Sequence, residues 1–374
     1  MRARSSISWA RRTRSSNSSP ARIISKTRSR NAGTPPTWSV HGSGRSCDVT
    51  AEAEIIAGLQ GAGLTGEGEI ILEPLTGGVS CDVWKVETPT GPIVVKRPLP
   101  QLRVAAEWLA PVERGTSEVR WLRRARGVKP SIAPEVLAEL PTGHAFAMRF
   151  LPGCPVWKDE LMAGRVDVPF AGEVGRGIAA VHAATAHNEG DRADFPNDEM
   201  FRALRVDPFL LYVAQHDVEL APALTALADD LSGRKIALVH GDVSPKNILV
   251  SADGPVFLDA ECAVYGDPAF DLAFCTTHLL LKAVWSGDAR LSEAAAALVA
   301  AYRTGIDWED AEEVLLRAGK LTAALLLARV EGKSPAPYLT DPDHKRIVRD
   351  QARTLIRAPS PLGELVAHWK RTLP

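Results

Sequence analysis

The chain has little of several things, and each shortage excludes a class of protein. Its five cysteines, at positions 47, 81, 154, 262 and 275, are scattered and include no Cys-x-x-Cys pair. A disulfide framework and a thiolate zinc site are therefore not expected, and the pattern suits a reducing, cytoplasmic setting. No apolar run approaches the ~20 residues a membrane span needs; the longest, such as Ala323–Ala328, are short and broken by charge. Acidic residues are nearly missing from positions 1–50, where Asp48 stands against ten Arg or Lys. With a whole-chain net charge of -1, that stretch carries +9 and the remainder -10. A mildly acidic body is not the footprint of a nucleic-acid-binding domain.

What is present is ordinary for a globular protein: 374 residues, 45% hydrophobic and 24% charged. That length supports two or three domains or lobes with a well-buried core. Residues 1–50 are rich in Ser and Arg and cannot bury enough apolar surface to offset chain entropy, so they read as a disordered basic tail. A transit peptide, a nucleic-acid tail and an extension from a misplaced start codon share this composition; the last is preferred, because folded patterning begins near Val49. No apolar core of a secretion signal is seen.

From residue 51 to about 151 the pattern is strand-rich. A short helix, Ala51–Leu59, ends in Gly61-Ala62-Gly63-Leu64-Thr65-Gly66. That stretch matches G-x-G-x-x-G literally, but a helix precedes it and a strand follows, so it reads as a helix cap and loop. Three antiparallel strands are expected within Ile70–Leu75, Cys81–Glu87 and Ile93–Pro98. Gly77 and Gly78, with Ser80, lie between the first two, where backbone amides can approach phosphates. Lys96 projects from the third; alone it is no more than a strand-end charge. Helices are expected over Leu102–Leu109 and Val112–Arg126, divided by Pro111. Glu118 is the preferred partner for Lys96, with Glu113 an alternative. A hairpin, Ala133–Leu140 and His144–Leu151, leads out of this region. Its segment Met148-Arg149-Phe150-Leu151 offers free backbone groups to an adenine edge.

Residues 152–374 are mainly helical: Phe170–Ala184, Phe201–Gln215, Ala221–Leu231, Leu291–Tyr302, Asp307–Leu327, Asp343–Ile356 and Pro361–Thr372. His182, on an apolar stripe with Ile178 and Val181, reads as a hydrogen-bonded core histidine. Gly332-Lys333-Ser334 lacks the first glycine and the preceding strand of a Walker A loop and is rejected. Between the helices lies the stretch that carries chemistry. His240-Gly241-Asp242 precedes Asn247, five residues after Asp242, and a strand-like Ile248–Ser251. An Asp253-Gly254 turn leads to Val256-Phe257-Leu258 and then Asp259. Asp267 and Pro268 then open a helix that carries Asp271.

Phosphoryl transfer requires neutralised phosphate charge, a held magnesium ion and an oriented hydroxyl. Asp259 and Asn247 supply hard oxygen ligands. Lys96 suits the α- and β-phosphates, and Asp242 suits the acceptor hydroxyl. Together with Leu258-Asp259-Ala260-Glu261 and Gly266-Asp267-Pro268-Ala269-Phe270-Asp271-Leu272-Ala273, these motifs resemble the aminoglycoside phosphotransferase/choline kinase-like family, over roughly Glu69 to Leu280. The resemblance implies an α+β, bilobal, protein-kinase-like fold. In it, 51–151 form a small antiparallel-sheet N-lobe with one or two helices, and 152–374 a larger, mainly helical C-lobe. It implies an ATP- and magnesium-dependent transferase that phosphorylates a hydroxyl of a small molecule such as an aminoglycoside, amino alcohol or sugar-like compound. By the same resemblance Asp242 is the base or orienting carboxylate, Asn247 and Asp259 are metal ligands, and Lys96 and Glu118 bind phosphate as a pair. Asp271 anchors the loop.

The nucleotide loop departs from the pattern in having only two glycines. Ser244 stands where protein kinases carry a Lys, with Lys246 as a substitute. Only eleven residues separate Asp259 from Asp271, too few for a peptide-docking segment, so a protein kinase ranks below a small-molecule kinase. An inactive nucleotide-binding regulator would be expected to have lost Lys96, Asp242 or Asp259. The acceptor is left open. Acids at Asp307, Glu309, Asp310, Glu312 and Glu313 suit a cation, although a helix N-terminus explains them as well. Arg149, Arg205, Arg329 and Lys333 suit an anionic or zwitterionic acceptor.

Overall fold

The computed structural model describes residues 45–66, 70–75, 80–101, 112–141 and 144–372. Ser46–Pro374 forms one compact unit. Residues 1–44, Gly77, Gly78 and the expected helix Leu102–Leu109 lie outside the described residues. The first helix, α1 (Arg45–Gly61), begins six residues before its expected start, so 45–50 are helical rather than disordered. The amides of Ala62 and Leu64 return to the carbonyls of Gly58 and Leu59, both at 3.0 Å, so the glycine-rich stretch does close a helix.

Five antiparallel strands follow: β1 (Leu72–Pro74), β2 (Cys81–Val86), β3 (Ile93–Pro98), β4 (Val136–Leu140) and β5 (Ala145–Arg149), in the spatial order β1-β2-β3-β5-β4. Strand periodicity divides their side chains between two faces. Val95 and Ala147 join Ile55 and Leu59 of α1 in one small core. Val94, Phe146 and Met148 face the opposite way, into the main core. Lys96 is two residues from Val94 and pairs with Phe146 across β3 and β5, so its side chain leaves the sheet on that second face. The helix α2 (Arg114–Val128) covers this face with Arg114, Glu118, Trp121, Leu122 and Ala125, a stripe at helical spacing.

The chain leaves β5 through Phe150 and a linker tied to the second lobe: the amide of Val250 donates to Pro155 at 2.9 Å. The helices α3 (Trp157–Met162), α4 (Val168–Thr185), α5 (Glu189–Asp194) and α6 (Asp198–Phe201) come next. The stretch expected as one helix, Phe201–Gln215, is instead a π-helix over Arg202–Leu211 continued by α7 (Tyr212–His216). Pro208 has no N–H and its ring crowds the preceding turn of an α-helix; a wider turn relieves both. Beyond α8 (Ala221–Gly233), β6 (Ala237–Val239) pairs with β9 (Val264–Gly266), and β7 (Ile248–Ser251) with β8 (Gly254–Phe257).

The lobe is completed by α9 (Ala269–Ser286), α10 (Ala289–Arg303), α11 (Ala311–Glu331), α12 (Pro342–Arg357) and α13 (Leu362–Thr372). α9 is the central post: every residue from Ala269 to Val284 is buried. The acids expected at 307–313 are largely consumed by structure. The Asp310 carboxylate caps α11, Glu309 pairs with Arg317, and Glu312 with Arg303. No helix among the described residues is long and apolar enough to cross a membrane.

α4 and α10 approach closely because Gly175 has no side chain; a Cβ there would overlap the Leu298 carbonyl oxygen. Gly175→Ala gains helix propensity but must separate the two helices. A net loss of about 1–3 kcal/mol is expected, read as a lower urea midpoint. An unchanged midpoint contradicts the packing.

Candidate active site

The β7–β8 hairpin is the device that assembles the site. Ile248 pairs with Phe257, and the Leu258 amide donates to the Asn247 carbonyl at 2.8 Å. Asn247 and Asp259 are therefore brought to the same open end of one hairpin. Asp259 takes a left-handed conformation, φ 66°, which Asp tolerates better than most residues. Its amide donates to Glu118 Oε1 at 3.1 Å. Lys96 Nζ donates to Glu118 Oε2 at 2.6 Å and also to the Asp259 carboxylate. One lysine thus joins the central strand, the α2 helix and the hairpin end.

Lys96 and Glu118 are 5% and 1% exposed, so their pair is held away from water, while Asp259 stays partly open to it. Burial raises Glu118 to about 7, against the pull of Lys96. Burial also works against an ionised Asp259, but Lys96 and Lys246 outweigh it and hold that carboxyl well below its usual range. Lys96, despite burial, is pushed up by Asp259 and Glu118 and stays charged.

Asp242 faces this triad from the loop after β6. Its carboxylate accepts from Asn247 Nδ2 at 2.9 Å and pairs with Lys246 at 3.0 Å and Arg205 at 3.2 Å. The loop is fixed from below by Asp271 on α9. That carboxylate accepts from the amides of His240 at 2.7 Å and Gly241 at 2.9 Å. His182 steadies Asp271 at 3.2 Å and bonds the Tyr302 hydroxyl at 2.8 Å, the core role expected of it. Gly241 has φ 79°, and a Cβ there would come within 2.5 Å of the Cys262 carbonyl oxygen, so only glycine fits between His240 and Asp242. His240 stays neutral: burial lowers its pKa, its Nε2 donates to the Leu258 carbonyl at 3.0 Å, and its Nδ1 accepts from the Asp242 amide at 3.2 Å.

The fit to a metal ion can be judged from the donors. Asn247 Nδ2 is committed to the Asp242 backbone and side chain, which leaves Oδ1 as an acceptor. With the ionised Asp259 it forms a hard-oxygen pair suited to a divalent cation. Cys81, Asp259 and Glu261 also cluster. There, however, burial lifts the Cys81 thiol to about 12, and Glu261 is paired with Arg114 at 2.9 Å. That cluster is a lobe-to-lobe tie rather than a metal site.

A family model described as the phosphotransferase enzyme family matches residues 71–314. The chain belongs to that family. A methylthioribose kinase of Oryza sativa subsp. japonica is 27% identical over 57% of this chain and 56% of its own length. One from Pectobacterium carotovorum is 26% identical over 54% and 57%. The chain thus spans little more than half the length of these curated relatives. An amicoumacin kinase structure superposes with a TM-score of 0.53 at 13% identity, covering 84% of this chain and 97% of that one. It supports the fold, which is the bilobal, protein-kinase-like α+β architecture expected of this phosphotransferase family.

Within the family frame, other expected residues fall as follows. The Ser80 hydroxyl donates to Cys81 Sγ at 3.7 Å and is buried. Met148 is buried at the end of β5, and Phe150 begins the inter-lobe linker with Lys85 over its ring at 5.4 Å. Glu113 merely precedes α2. Arg149 points outward, paired with Glu135 at 2.9 Å, and Lys333 is exposed, so neither joins the site. Arg205 does join it, from the π-helix. Arg114, fully buried, was not singled out in the sequence; its guanidinium also donates to the Ser80 carbonyl at 2.6 Å. Nothing in the local pattern marks it except its position one turn before Glu118.

Also missed were His278 and Lys282, one turn apart on α9 and 7% and 2% exposed. Their signal was available: two titratable side chains inside an otherwise apolar run. In the folded chain burial, then the charges of Arg329 on α11 and Lys158 on α3, bring Lys282 down to about 7, with Cys275 opposing weakly. His278 and Tyr338 complete its polar surroundings. The unfolded chain keeps the ordinary lysine value, so between about pH 7 and pH 10.5 it binds more protons than the folded one, and stability rises with pH there. Lys282→Met removes this dependence. The variant is expected to outlast the parent in denaturant near neutral pH, with the gain fading towards about pH 10. A gain of equal size at both ends, or a loss at neutral pH, contradicts the account.

Proposed function

We propose that the chain is a small-molecule kinase that moves the γ-phosphate of ATP to an alcohol, with Mg2+ held by Asn247 Oδ1 and Asp259. The observation that carries this reading is the confrontation of Asp242 with the Lys96–Glu118–Asp259 triad across one hairpin end. Its charges are arranged for phosphoryl transfer, with cations around the path and one carboxylate on the acceptor side. Lys96, held by Glu118, meets the α- and β-phosphates. By the sequence pattern Gly77, Gly78 and Ser80 supply further phosphate contacts, and the Met148–Phe150 backbone meets the adenine edge. A bound divalent ion supplies charge neutralisation of the transferring phosphate.

Asp242 accepts a hydrogen bond from the acceptor hydroxyl and takes its proton as the new P–O bond forms and the bond from the γ-phosphorus to the bridging oxygen breaks, with ADP as the leaving group. Asn247 holds the Asp242 carboxylate in position. Lys246, half-exposed and 3.0 Å from Asp242, meets the γ-phosphate in place of the lysine that protein kinases carry at position 244 of this loop. The acceptor is a small molecule because β9 and α9 follow Asp259 almost at once, leaving no peptide-docking segment. A sugar-like alcohol is favoured, since the curated relatives are methylthioribose kinases. The scattered free thiols support a cytoplasmic setting.

Asp242→Asn is expected to lower turnover by ~10²–10⁴-fold while ATP affinity holds. Near-parental ATP consumption by this variant, assayed with sugars, amino alcohols, aminoglycosides and nucleosides as acceptors, removes Asp242 from the role. Asp259→Ala is expected to abolish the magnesium-dependent part of thermal stabilisation by ATP. Undiminished stabilisation by Mg-ATP eliminates Asp259 as a ligand.

A further inference from the structure

Beyond Asp242 the second lobe carries positive charge where a hydrophobic core would be expected. Arg205 lies over Phe274 at 5.7 Å, Phe274 meets the edge of Phe209 at 5.7 Å, and Arg329 lies over Phe209 at 5.8 Å. From the other side, His278 packs on Phe274 at 5.1 Å and Lys282 lies over the Tyr338 ring at 4.6 Å. Tyr338 and Arg329 influence each other electrostatically, which closes the ring. Arg205 links it to Asp242 at 3.2 Å.

This ring is short of negative charge. No described carboxylate pairs with Lys282, His278 or Arg329; the one acid acting on Arg329 is Asp242, already shared with Arg205 and Lys246. Arg329 Nη1 is satisfied by Ser334, but its Nε is buried without a hydrogen-bond partner, and so is the Tyr338 hydroxyl. Buried cations and orphaned donors each cost stability unless something compensates them. The aromatic faces offset part of that cost and leave the charges unneutralised.

We propose that this ring is the seat for an anionic group, a carboxylate or a phosphate, on the alcohol that Asp242 serves. The proposal rests on the kinase reading of Asp242 and adds the charge of its acceptor. An oxyanion is the one ligand chemistry that answers every feature at once: it brings the absent countercharge and accepts from Lys282, Arg329 Nε and the Tyr338 hydroxyl. A cationic acceptor would meet like charge from Arg205, Lys282 and Arg329 in a low-dielectric setting. The aromatic walls, Phe209, Phe274 and Tyr338, suit an apolar or ring-shaped body between the anion and the hydroxyl. The depressed pKa of Lys282, caused first by burial and then by Arg329 and Lys158, fits a site whose charge is completed by its ligand.

The test uses the full chain with Mg-AMP-PNP occupying the nucleotide site, and reads thermal stabilisation by glycerate and by inorganic phosphate. Each probe is expected to stabilise the parent and Lys320→Met alike, the latter a variant at an exposed lysine of α11 outside the ring. Lys282→Met and Arg329→Met should need about tenfold more probe for the same shift, with Lys282→Arg restoring part of it. Stronger response to glycerate assigns a carboxylate, and to phosphate a phosphoryl group. No stabilisation of the parent, or equal stabilisation of parent and Lys282→Met, overturns the proposal. An ATP-consumption screen of sugar acids, sugar phosphates, neutral sugars and amino alcohols separates the two layers. Turnover of neutral or cationic alcohols alone overturns the anion seat and leaves the kinase standing. Anion binding that depends on Lys282 without consumption of ATP on any alcohol leaves the seat standing and removes the kinase.

Discussion

The architecture turns on one buried lysine. Lys96 is drawn into a site where a lone ammonium would be too costly to keep, and two carboxylates from different parts of the chain make it tolerable. Glu118 arrives on α2 and Asp259 at the end of the β7–β8 hairpin, so neutralising Lys96 requires the sheet, the covering helix and the second lobe to be in register at once. Arg114 repeats the logic a turn earlier on α2, where it reaches Glu261 two residues beyond Asp259. These two ties cross the same boundary between lobes, and both are shielded from water. Loss of either partner would leave an uncompensated charge rather than a merely weakened contact.

The second constraint is rigidity of the loop that bears Asp242. Two consecutive amides, those of His240 and Gly241, are held by one carboxylate, Asp271, which is itself pinned by His182 and Tyr302. The post that carries Asp271 is buried at every residue from Ala269 to Val284. The orientation of Asp242 is thereby inherited from the core, and its carboxylate is trimmed by Asn247, Lys246 and Arg205. Sites built this way lose little freedom when substrate binds, because the ordering has been done by folding.

Sequence reasoning reached the parts whose signals are local. Strand alternation in Ile93–Pro98, the Asp253-Gly254 turn and the interval from Asp242 to Asn247 each leave a pattern within ten residues. They were enough for the sheet and the hairpin, and Glu118, chosen from the helix beside that sheet, does pair with Lys96. Three things escaped for physical reasons. The start of α1 at Arg45 runs through a low-apolar stretch with no periodic stripe. The π-turn around Pro208 looks, one residue at a time, like an ordinary amphipathic helix. Arg114, His278 and Lys282 acquire meaning only from neighbours far along the chain, since burial of a charge is a property of tertiary packing. Arg205 and Arg329 were visible as candidates, but Arg149 and Lys333 had equal standing until the fold turned those two outward.

The short path from Asp259 to α9 has a consequence of another kind. In protein kinases the segment at this place is where phosphorylation decides whether the Lys–Glu pair and the metal-binding Asp come together. Here Val264–Gly266 pairs straight back to β6, and Asp267 starts the next helix. The Lys96–Glu118 pair is formed without any such device. Among the described residues the stretch between Asp259 and α9 is too short for a segment of that kind, so the pairing of Lys96 with Glu118 is set by the fold itself.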